Sequence, residues 1–414
     1  MAETISQLPA GPSVSVFLIF PSELIDQIVS ELSDRHLGDL RVTSKGFRDI
    51  TLAAWKKRAL QDKDGRPALE WAAEYNKPSL INYIFEEFPN TEINTSRGRK
   101  CKNPLCIACR LGNIEAASAL IIHGAGVNYD PGRGPALLHA VHGGHNPTIQ
   151  MLLERDADPH ALDSGNSNIV HIAASHNHVQ ILRLILSMMR AYPESMPGIN
   201  DFNAAGLTAL HLASQVGAVA AATLLLESGA DIDRTCNKAC LETPLAMAVR
   251  VSESGTASMV TLLLSWGANI EGRTAESENR TYFNSPLHNA LRRDSPDSYE
   301  ISSLLIAHGA ALNTLSALGQ PSLILALFEF SQSTMRLIVD GGGDINMVDD
   351  KGLSALHWLA CLRVHLFTPS IVRFLQEQGA DMFLMDNSGM TPRDHAEQSG
   401  WDHDLIEATW GDDD

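Results

Sequence analysis

One phrase returns along the chain at a spacing that no single globular core would produce. Its cleanest copy is Gly206-Leu-Thr-Ala-Leu-His-Leu-Ala213. Near copies are Gly352-Leu-Ser-Ala-Leu-His357, Ser285-Pro-Leu-His288 and Thr243-Pro-Leu-Ala-Met-Ala248. Weaker ones are Asn103-Pro-Leu-Cys-Ile-Ala108, Val170-His-Ile-Ala173 and Pro321-Ser-Leu-Ile-Leu-Ala326. The first copy is Pro67-Ala-Leu-Glu-Trp-Ala72 and the last is Thr391-Pro-Arg-Asp-His-Ala396. Measured at the Leu position, from Leu69 to Arg393, successive copies lie 32 to 42 residues apart, with a mean of 36. A second phrase recurs in phase: Gly124-Ala-Gly-Val-Asn128, Gly229-Ala-Asp-Ile-Asp233, Gly267-Ala-Asn-Ile-Glu271 and Gly379-Ala-Asp-Met-Phe383. A chain of 414 residues exceeds one ordinary core, and a repeat array lengthens by adding modules without deepening one.

Each part of the phrase has a physical reason. Thr, Ser or Asn ahead of the first helical turn can accept from the free amides there. Pro just inside a helix costs nothing, because that amide has no intrahelical partner. Small pairs such as Ala213 and Ser214 allow neighbouring helices to approach closely. The run Ala222-Thr-Leu-Leu-Leu226 supplies an apolar second helix. Gly229 then falls where the chain must leave that helix in a left-handed conformation. A lone helical hairpin cannot bury both faces, so stacking on its neighbours does most of the stabilising.

From about residue 65 onward the chain resembles the ankyrin-repeat family, whose period is near ~33 residues. The resemblance implies an all-α solenoid of about ten helix-turn-helix units with short β-turn fingers, spanning residues 61–414. It also implies a concave face that binds a protein. Three units depart from the pattern. In the third, His139 is displaced by one residue and Leu138 holds its place. The last, about 387–410, puts Arg393 and Asp394 where an apolar residue and His are expected, as suits a capping repeat with a polar outer face. The first lacks the Gly-Ala turn and ends in Phe88-Pro-Asn-Thr. Stretches 187–200, 250–258 and 271–284 break the period, and loops of this kind carry binding residues. The candidate contacts for a substrate protein are Tyr282 and Phe283, with Tyr129 and Phe202 on other connections.

Ahead of the repeats, residues 1–16 hold Pro9, Gly11 and Pro12 and read as a flexible tail. Residues 17–60 differ. Pro21 can open a helix on which Leu24, Ile25, Ile28 and Leu32 share one face. Leu37, Leu40 and Val42 begin a second short helix, and 44–58 a third. About forty residues can hardly bury so much apolar surface alone. The pattern Phe20-Pro-Ser-Glu-Leu24, then Ile28, Leu32, Leu37, Leu40, Val42-Thr-Ser-Lys45 and Phe47-Arg48 resembles an F-box over residues 18–58. Phe20 replaces the usual Leu before Pro21, and Gly46-Phe47 replaces a bulkier pair. That resemblance implies docking on the Skp adaptor of a cullin ubiquitin ligase through Pro21, Leu24, Ile25, Ile28, Leu32, Leu37 and Leu40. Two readings stay open: a ligase adapter whose array chooses the substrate, or a ligase-independent ankyrin scaffold in which these helices cap the stack.

The composition narrows the alternatives. A formal charge of −18 argues against a general phosphate-binding surface, so no nucleic-acid partner is expected. Six cysteines in so long a chain do not make a disulfide framework. The apolar stretch 14–20 has no preceding Lys or Arg, and no run approaches the ~20 residues of a membrane span. Cytosol or nucleus is the expected location, as a monomer outside any complex. No Gly-x-Ser-x-Gly, phosphate loop or His-Glu-x-x-His occurs, so no enzyme activity and no cofactor are expected. Cys101, Cys106 and Cys109 have a spacing known from iron–sulfur proteins, but Cys106 and Cys109 occupy packing positions of a repeat helix. Cys236 and Cys240 read as loop thiols. His139, His142 and His145, with His160 beyond, are explained by the repeat phrase without a metal. His171, His211, His288 and His357 are expected to hydrogen-bond between units.

Overall fold

The structure is a computed structural model that describes residues 66–94, 103–237, 242–250, 256–272, 284–293, 297–328, 332–361 and 368–410. The expected F-box-like contacts Pro21, Leu24, Ile25, Ile28, Leu32, Leu37 and Leu40 lie outside these residues, as do Tyr282 and Phe283. The chain falls into two compact units, Met1–Ala161 and Leu162–Asp414. Among the described residues the secondary structure is helical, with one isolated bridge between Leu315 and Pro321.

The first unit contains three hairpins: α1 (Arg66–Glu74) with α2 (Pro78–Glu87), α3 (Pro104–Leu111) with α4 (Ile114–Ile122), and α5 (Ala136–Gly143) with α6 (Asn146–Leu153). The first helices α1, α3 and α5 pack side by side, and α2, α4 and α6 form a second row. The second unit continues the plan with α7 (Ile169–Ser175), α8 (Val179–Ala191), α9 (Ala209–Gln215), α10 (Val219–Glu227), α11 (Pro244–Arg250), α12 (Thr256–Ser265) and α13 (Pro286–Leu291). It ends with α14 (Ser298–Ala307), α15 (Ser322–Leu327), α16 (Gln332–Asp340), α17 (Ala355–Cys361), α18 (Thr368–Glu377), α19 (Pro392–Gln398) and α20 (His403–Trp410). Its first helices, α7 through α19 in alternation, stand each against the next.

These helices are six to thirteen residues long, too short to persist alone in water. Packing holds them. Leu210 and Leu225 are buried on α9 and α10, and each contributes roughly 2 kcal/mol by leaving water. Ala213 is fully buried and Ser214 nearly so, which gives the close helix approach expected of small pairs.

The exits follow the chemistry of the second phrase. Gly229 has φ +87°, its own N–H reaches Leu226 O at 3.0 Å, and the Ala230 N–H reaches Leu225 O at 3.0 Å. That pair of bonds is a Schellman motif. Gly124, Gly267, Gly309, Gly342 and Gly379 do the same. In the third hairpin Asp156 adopts the left-handed conformation instead, with φ +60°. The first hairpin, which lacks this turn, closes otherwise. The Phe88 N–H bonds Ile84 O at 2.8 Å, and the Thr91 N–H and hydroxyl both reach Phe88 O, at 3.1 and 2.8 Å.

Candidate functional site

Two sets of polar residues bond repeat units to their successors within the described stretches, and together they decide which surface is left for a partner. The first set is the Thr-x-x-His element. Thr208 is the N-cap of α9. Its hydroxyl accepts from the His211 N–H at 3.4 Å, while the Thr208 N–H donates to His211 Nδ1 at 3.2 Å. This is a capping box with His in the place of the usual Glu. Ser285 with His288 and Ser354 with His357 repeat the exchange onto Nδ1. The other ring nitrogen crosses to the following unit. Nε2 of His211 lies 3.0 Å from Glu242 O, that of His288 3.1 Å from Thr314 O, and that of His357 3.0 Å from Met390 O.

Because a backbone N–H points at Nδ1, the proton of the neutral ring sits on Nε2 and is donated to the carbonyl. A second proton on Nδ1 would face that N–H. Burial pushes His211 down to about 4, against the bonds to Glu242 and Arg234 carbonyls, and burial lowers His357 as well. His171 is also lowered by burial, and its Nε2 lies 3.0 Å from Asp201 O and 3.1 Å from Leu207 O. It faces Asn168 Oδ1 at 2.7 Å rather than a hydroxyl. These four histidines are scaffold groups that bond between units, as the repeat phrase implies. In α19 the carboxylate of Asp394 takes the place of the ring, accepting from the Thr391 N–H at 2.8 Å and from its hydroxyl at 2.7 Å, while that hydroxyl accepts from the Asp394 N–H at 3.3 Å. Arg393 beside it pairs with Glu407 at 2.7 Å.

The second set was not assigned a role from sequence. An Asn, Asp or Glu at the turn, in five cases the last residue of the Gly-Ala type of phrase, accepts a hydrogen bond from a backbone N–H of the following repeat. In the first unit Asn94 accepts from Gly126, and Asn128 from Asp158, both at 2.8 Å. In the second unit Asn200 accepts from Asp231 at 2.9 Å, Asp233 from Asn269 at 2.8 Å and Glu271 from Ala311 at 2.8 Å. Asn313 accepts from Asp344 at 2.7 Å and Asn346 from Asp381 at 2.8 Å. For Asn128, Asp233, Glu271, Asn313 and Asn346 the signal was present in the sequence, each lying four residues after a turn glycine; Asn94 and Asn200 follow no such glycine. At the last such position stands Phe383, 71% exposed.

The remaining candidates fall as follows. Tyr129 is half-buried in the turn after α4, and its N–H bonds Gly126 O at 3.1 Å. Phe202 is half-buried with the Arg234 guanidinium 4.9 Å above its ring, a cation–π contact within the second unit. Tyr129 belongs to the first unit and Phe202 to the second. Cys106 and Cys109 are buried in α3, where burial pushes the Cys109 thiol far up. Cys236 sits in a finger turn with its side chain buried. Cys361, at the end of α17, is exposed, with Sγ 3.6 Å from His395 Nδ1. His145 Nε2 lies 3.0 Å from Arg110 O. Among the described residues no group of three or more His, Cys, Asp or Glu is placed to hold a metal, and no helix is long and apolar enough to cross a membrane.

What stays accessible are the finger turns and the ends of the first helices. In the second unit the turns at 349–352 and 386–389 pair through the Asn387 N–H and Nδ2, each 3.1 Å from the carbonyls of Lys351 and Asp350 respectively. Asp349 Oδ2 accepts from Trp358 Nε1 at 3.0 Å, and Phe328 meets the Trp358 ring edge-on at 5.7 Å. Asp386 plays the same part toward His395 at 2.9 Å, and bonds from the Met390 N–H and His395 hold its carboxyl down to about 2.

The ankyrin-repeat family matches, as three copies, over residues 69–163 and 137–236. The chain is 27% identical over 365 residues to the E3 ubiquitin-protein ligase KEG of Arabidopsis thaliana, covering 84% of this chain and 21% of that one. It is 33% identical over 155 residues to the B-cell lymphoma 3 protein homolog of Mus musculus, covering 36% of this chain and 33% of that one. It thus spans about a fifth and a third of these two relatives. The solved ankyrin repeat domain of Bcl-3 superposes with a TM-score of 0.47 at 22% identity, covering 58% of this chain and 96% of that chain. The described fold is an all-helical ankyrin-repeat fold, and such repeats imply a role in protein–protein interaction.

Proposed function

We propose that the chain is a substrate adapter of a cullin-type ubiquitin ligase. In this reading residues 18–58 dock on the Skp adaptor through Pro21, Leu24, Ile25, Ile28, Leu32, Leu37 and Leu40, and the ankyrin units hold the protein to be ubiquitinated. The chain performs no transfer chemistry itself; it sets the encounter, and its partners make and break the bonds. It acts in the cytosol or nucleus and needs no cofactor. The observation that carries the reading is the F-box-like pattern joined to repeats through only a few residues, 61–66. A short join suits an arm that presents a target at a set distance. The ankyrin side is supported by the way its scaffold groups are used. The histidines and finger acceptors are consumed in bonds between units, which leaves the turns and first-helix ends to a guest. The similarity to a relative named as a ubiquitin ligase fits, although the span matched is a fifth of that protein.

The test is recovery of the Skp adaptor on the full chain and on a Pro21→Asp/Ile28→Asp variant. The adaptor is expected with the former and lost with the latter. Equal recovery from both ends the ligase reading and leaves a ligase-independent scaffold.

A further inference from the structure

The negative charge of this chain is unevenly placed. Residues 297–414 contain 18 acidic and 5 basic residues, a balance of −13 out of the −18 of the whole chain. The same stretch exposes large apolar side chains: Leu318 at 62%, Phe328 at 47%, Phe383 at 71% and Met385 at 65%. Acidity alone is explained by solubility, and a single exposed apolar residue needs no explanation. Five of these acidic residues, Asp344, Asp349, Asp350, Asp381 and Asp386, lie on the fingers that alternate with the exposed apolar side chains, and both together are a different matter.

The local geometry links these residues. Leu318 lies in the finger turn whose Gly319 is pressed against the Asp350 carboxylate of the next turn, closely enough that a Cβ would collide with it. That next turn is bonded in turn to Asn387 of the finger that follows Phe383 and Met385. Phe328 stands on Trp358, which Asp349 fixes from the finger above it. Asp344, Asp350 and Asp381 are exposed carboxylates of these fingers. Cations nearby are few. Among the described residues Arg393 pairs with Glu397 and Glu407, Arg336 lies over Phe374, Arg373 is exposed on α18 and Lys351 is exposed at a finger tip. Phe383 also interrupts the series of acceptors: where Asn313 and Asn346 hold a following unit, this residue offers only a ring.

We propose that this strip binds a basic amphipathic segment of a partner protein. Its apolar side chains would seat on Leu318, Phe328, Phe383 and Met385, and its Lys or Arg side chains would face Asp344, Asp350 and Asp381. The occupant follows from charge complementarity. A field of this sign speeds and orients cationic partners, while the aromatic and aliphatic contacts supply short-range affinity. The inference rests on the protein-binding reading of the repeats and is independent of the ligase-docking segment. Equal Skp adaptor recovery in the earlier test, which ends the ligase reading, would leave it intact.

Three fluorescein-labelled peptides test it on the full chain by anisotropy. One alternates Lys and Arg with Leu and Phe. A second keeps the charges but carries Ser for each Leu and Phe. A third keeps the apolar residues but carries Glu for each cation. Only the first is expected to bind well, and its affinity should fall as salt rises. A Leu318→Ser/Phe328→Ser/Phe383→Ser/Met385→Ser variant should bind it about tenfold or more weakly. So should Asp344→Asn/Asp350→Asn/Asp381→Asn, with a flatter salt dependence. Ile122→Ser, at a site in the first unit that is equally exposed, should change nothing. Amide exchange on the unaltered chain should slow in 313–328 and 344–390 when the first peptide is added, which does not depend on any variant folding. Equal binding of the Ser-bearing peptide, variants that bind as the parent does, or protection confined to 66–161 would each overturn the proposal.

Discussion

Lowering the pH should loosen the repeat array through His211 in a predictable window. His211 is fully buried and held at about 4 in the folded chain, against an ordinary value of 6.5. The unfolded chain therefore takes up the extra proton first, so stability is complete above pH 6.5 and falls as the pH drops toward 4. Below the folded value both states are protonated and the loss levels off. At about pH 5 the linkage relation gives a loss of about 2 kcal/mol from this group, approaching about 3.5 kcal/mol at the plateau. The reason is burial, which disfavours the imidazolium, and the Thr208 N–H already points at Nδ1. Burial lowers His171 and His357 in the same direction. Repeat arrays can open in segments, so the proper readout is amide exchange of α9, not one global melt. The parent and His211→Gln should be compared from neutral pH down to about pH 5. The variant is expected to start weaker by about 1–2 kcal/mol through the lost bonds and to show a shallower pH dependence in α9. The same pH slope in both proteins would refute the reasoning.

Other consequences follow from single contacts. Asn346→Ala removes the acceptor of the Asp381 N–H and should weaken the last finger by about 1 kcal/mol, seen as faster exchange near residue 381. Gly229→Ala meets empty space but keeps φ +87°, so it should cost only about 1 kcal/mol in a thermal shift; Gly206→Ala, whose Cβ would strike Asn237, should cost more. Leu225→Ala, fully buried on α10, should lose about 2–5 kcal/mol in the same assay. Among Cys106, Cys109, Cys236 and Cys361, mass mapping after brief iodoacetamide treatment should find only Cys361 alkylated, the others reacting on denaturation.

The helices were legible from sequence because their determinants are local and repeated. Thr208, Ser285 and Thr391 announce their caps, and Gly124, Gly229, Gly267 and Gly379 announce the exits. The interunit role of His211 and His357 could be read from the same phrase. The acceptors Asn128, Asp233 and Glu271 were in view but carried no assigned role, since their partners are backbone amides about 30 to 40 residues away that no side-chain pattern marks. Phe202 read as a contact residue because it is aromatic and lies on a connection. Its cover by Arg234 is tertiary and left no local trace. Asp394 was visible as a departure from His, and the structure gives its reason: a carboxylate can close the capping box without reaching onward.

The two polar sets also explain why the binding surface can vary while the frame does not. Repeat units are tied to their successors by an imidazole beneath the finger at His171, His211, His288 and His357, and by an Asn, Asp or Glu at most of the turns. The side chains at the finger tips and the first-helix ends take part in neither tie. Replacing Lys351 or Leu318 therefore changes what a guest meets without removing a bond between units, whereas replacing His357 or Asn346 removes one. If that division is right, Leu318→Ser should leave the thermal transition within about 0.5 kcal/mol of the parent yet reduce capture of the basic amphipathic peptide. His357→Ala should do the reverse in order of magnitude, destabilising first and altering binding only as far as the fingers loosen. Two variants that shift stability and binding in the same proportion would mean that the scaffold and the recognition surface are not separate.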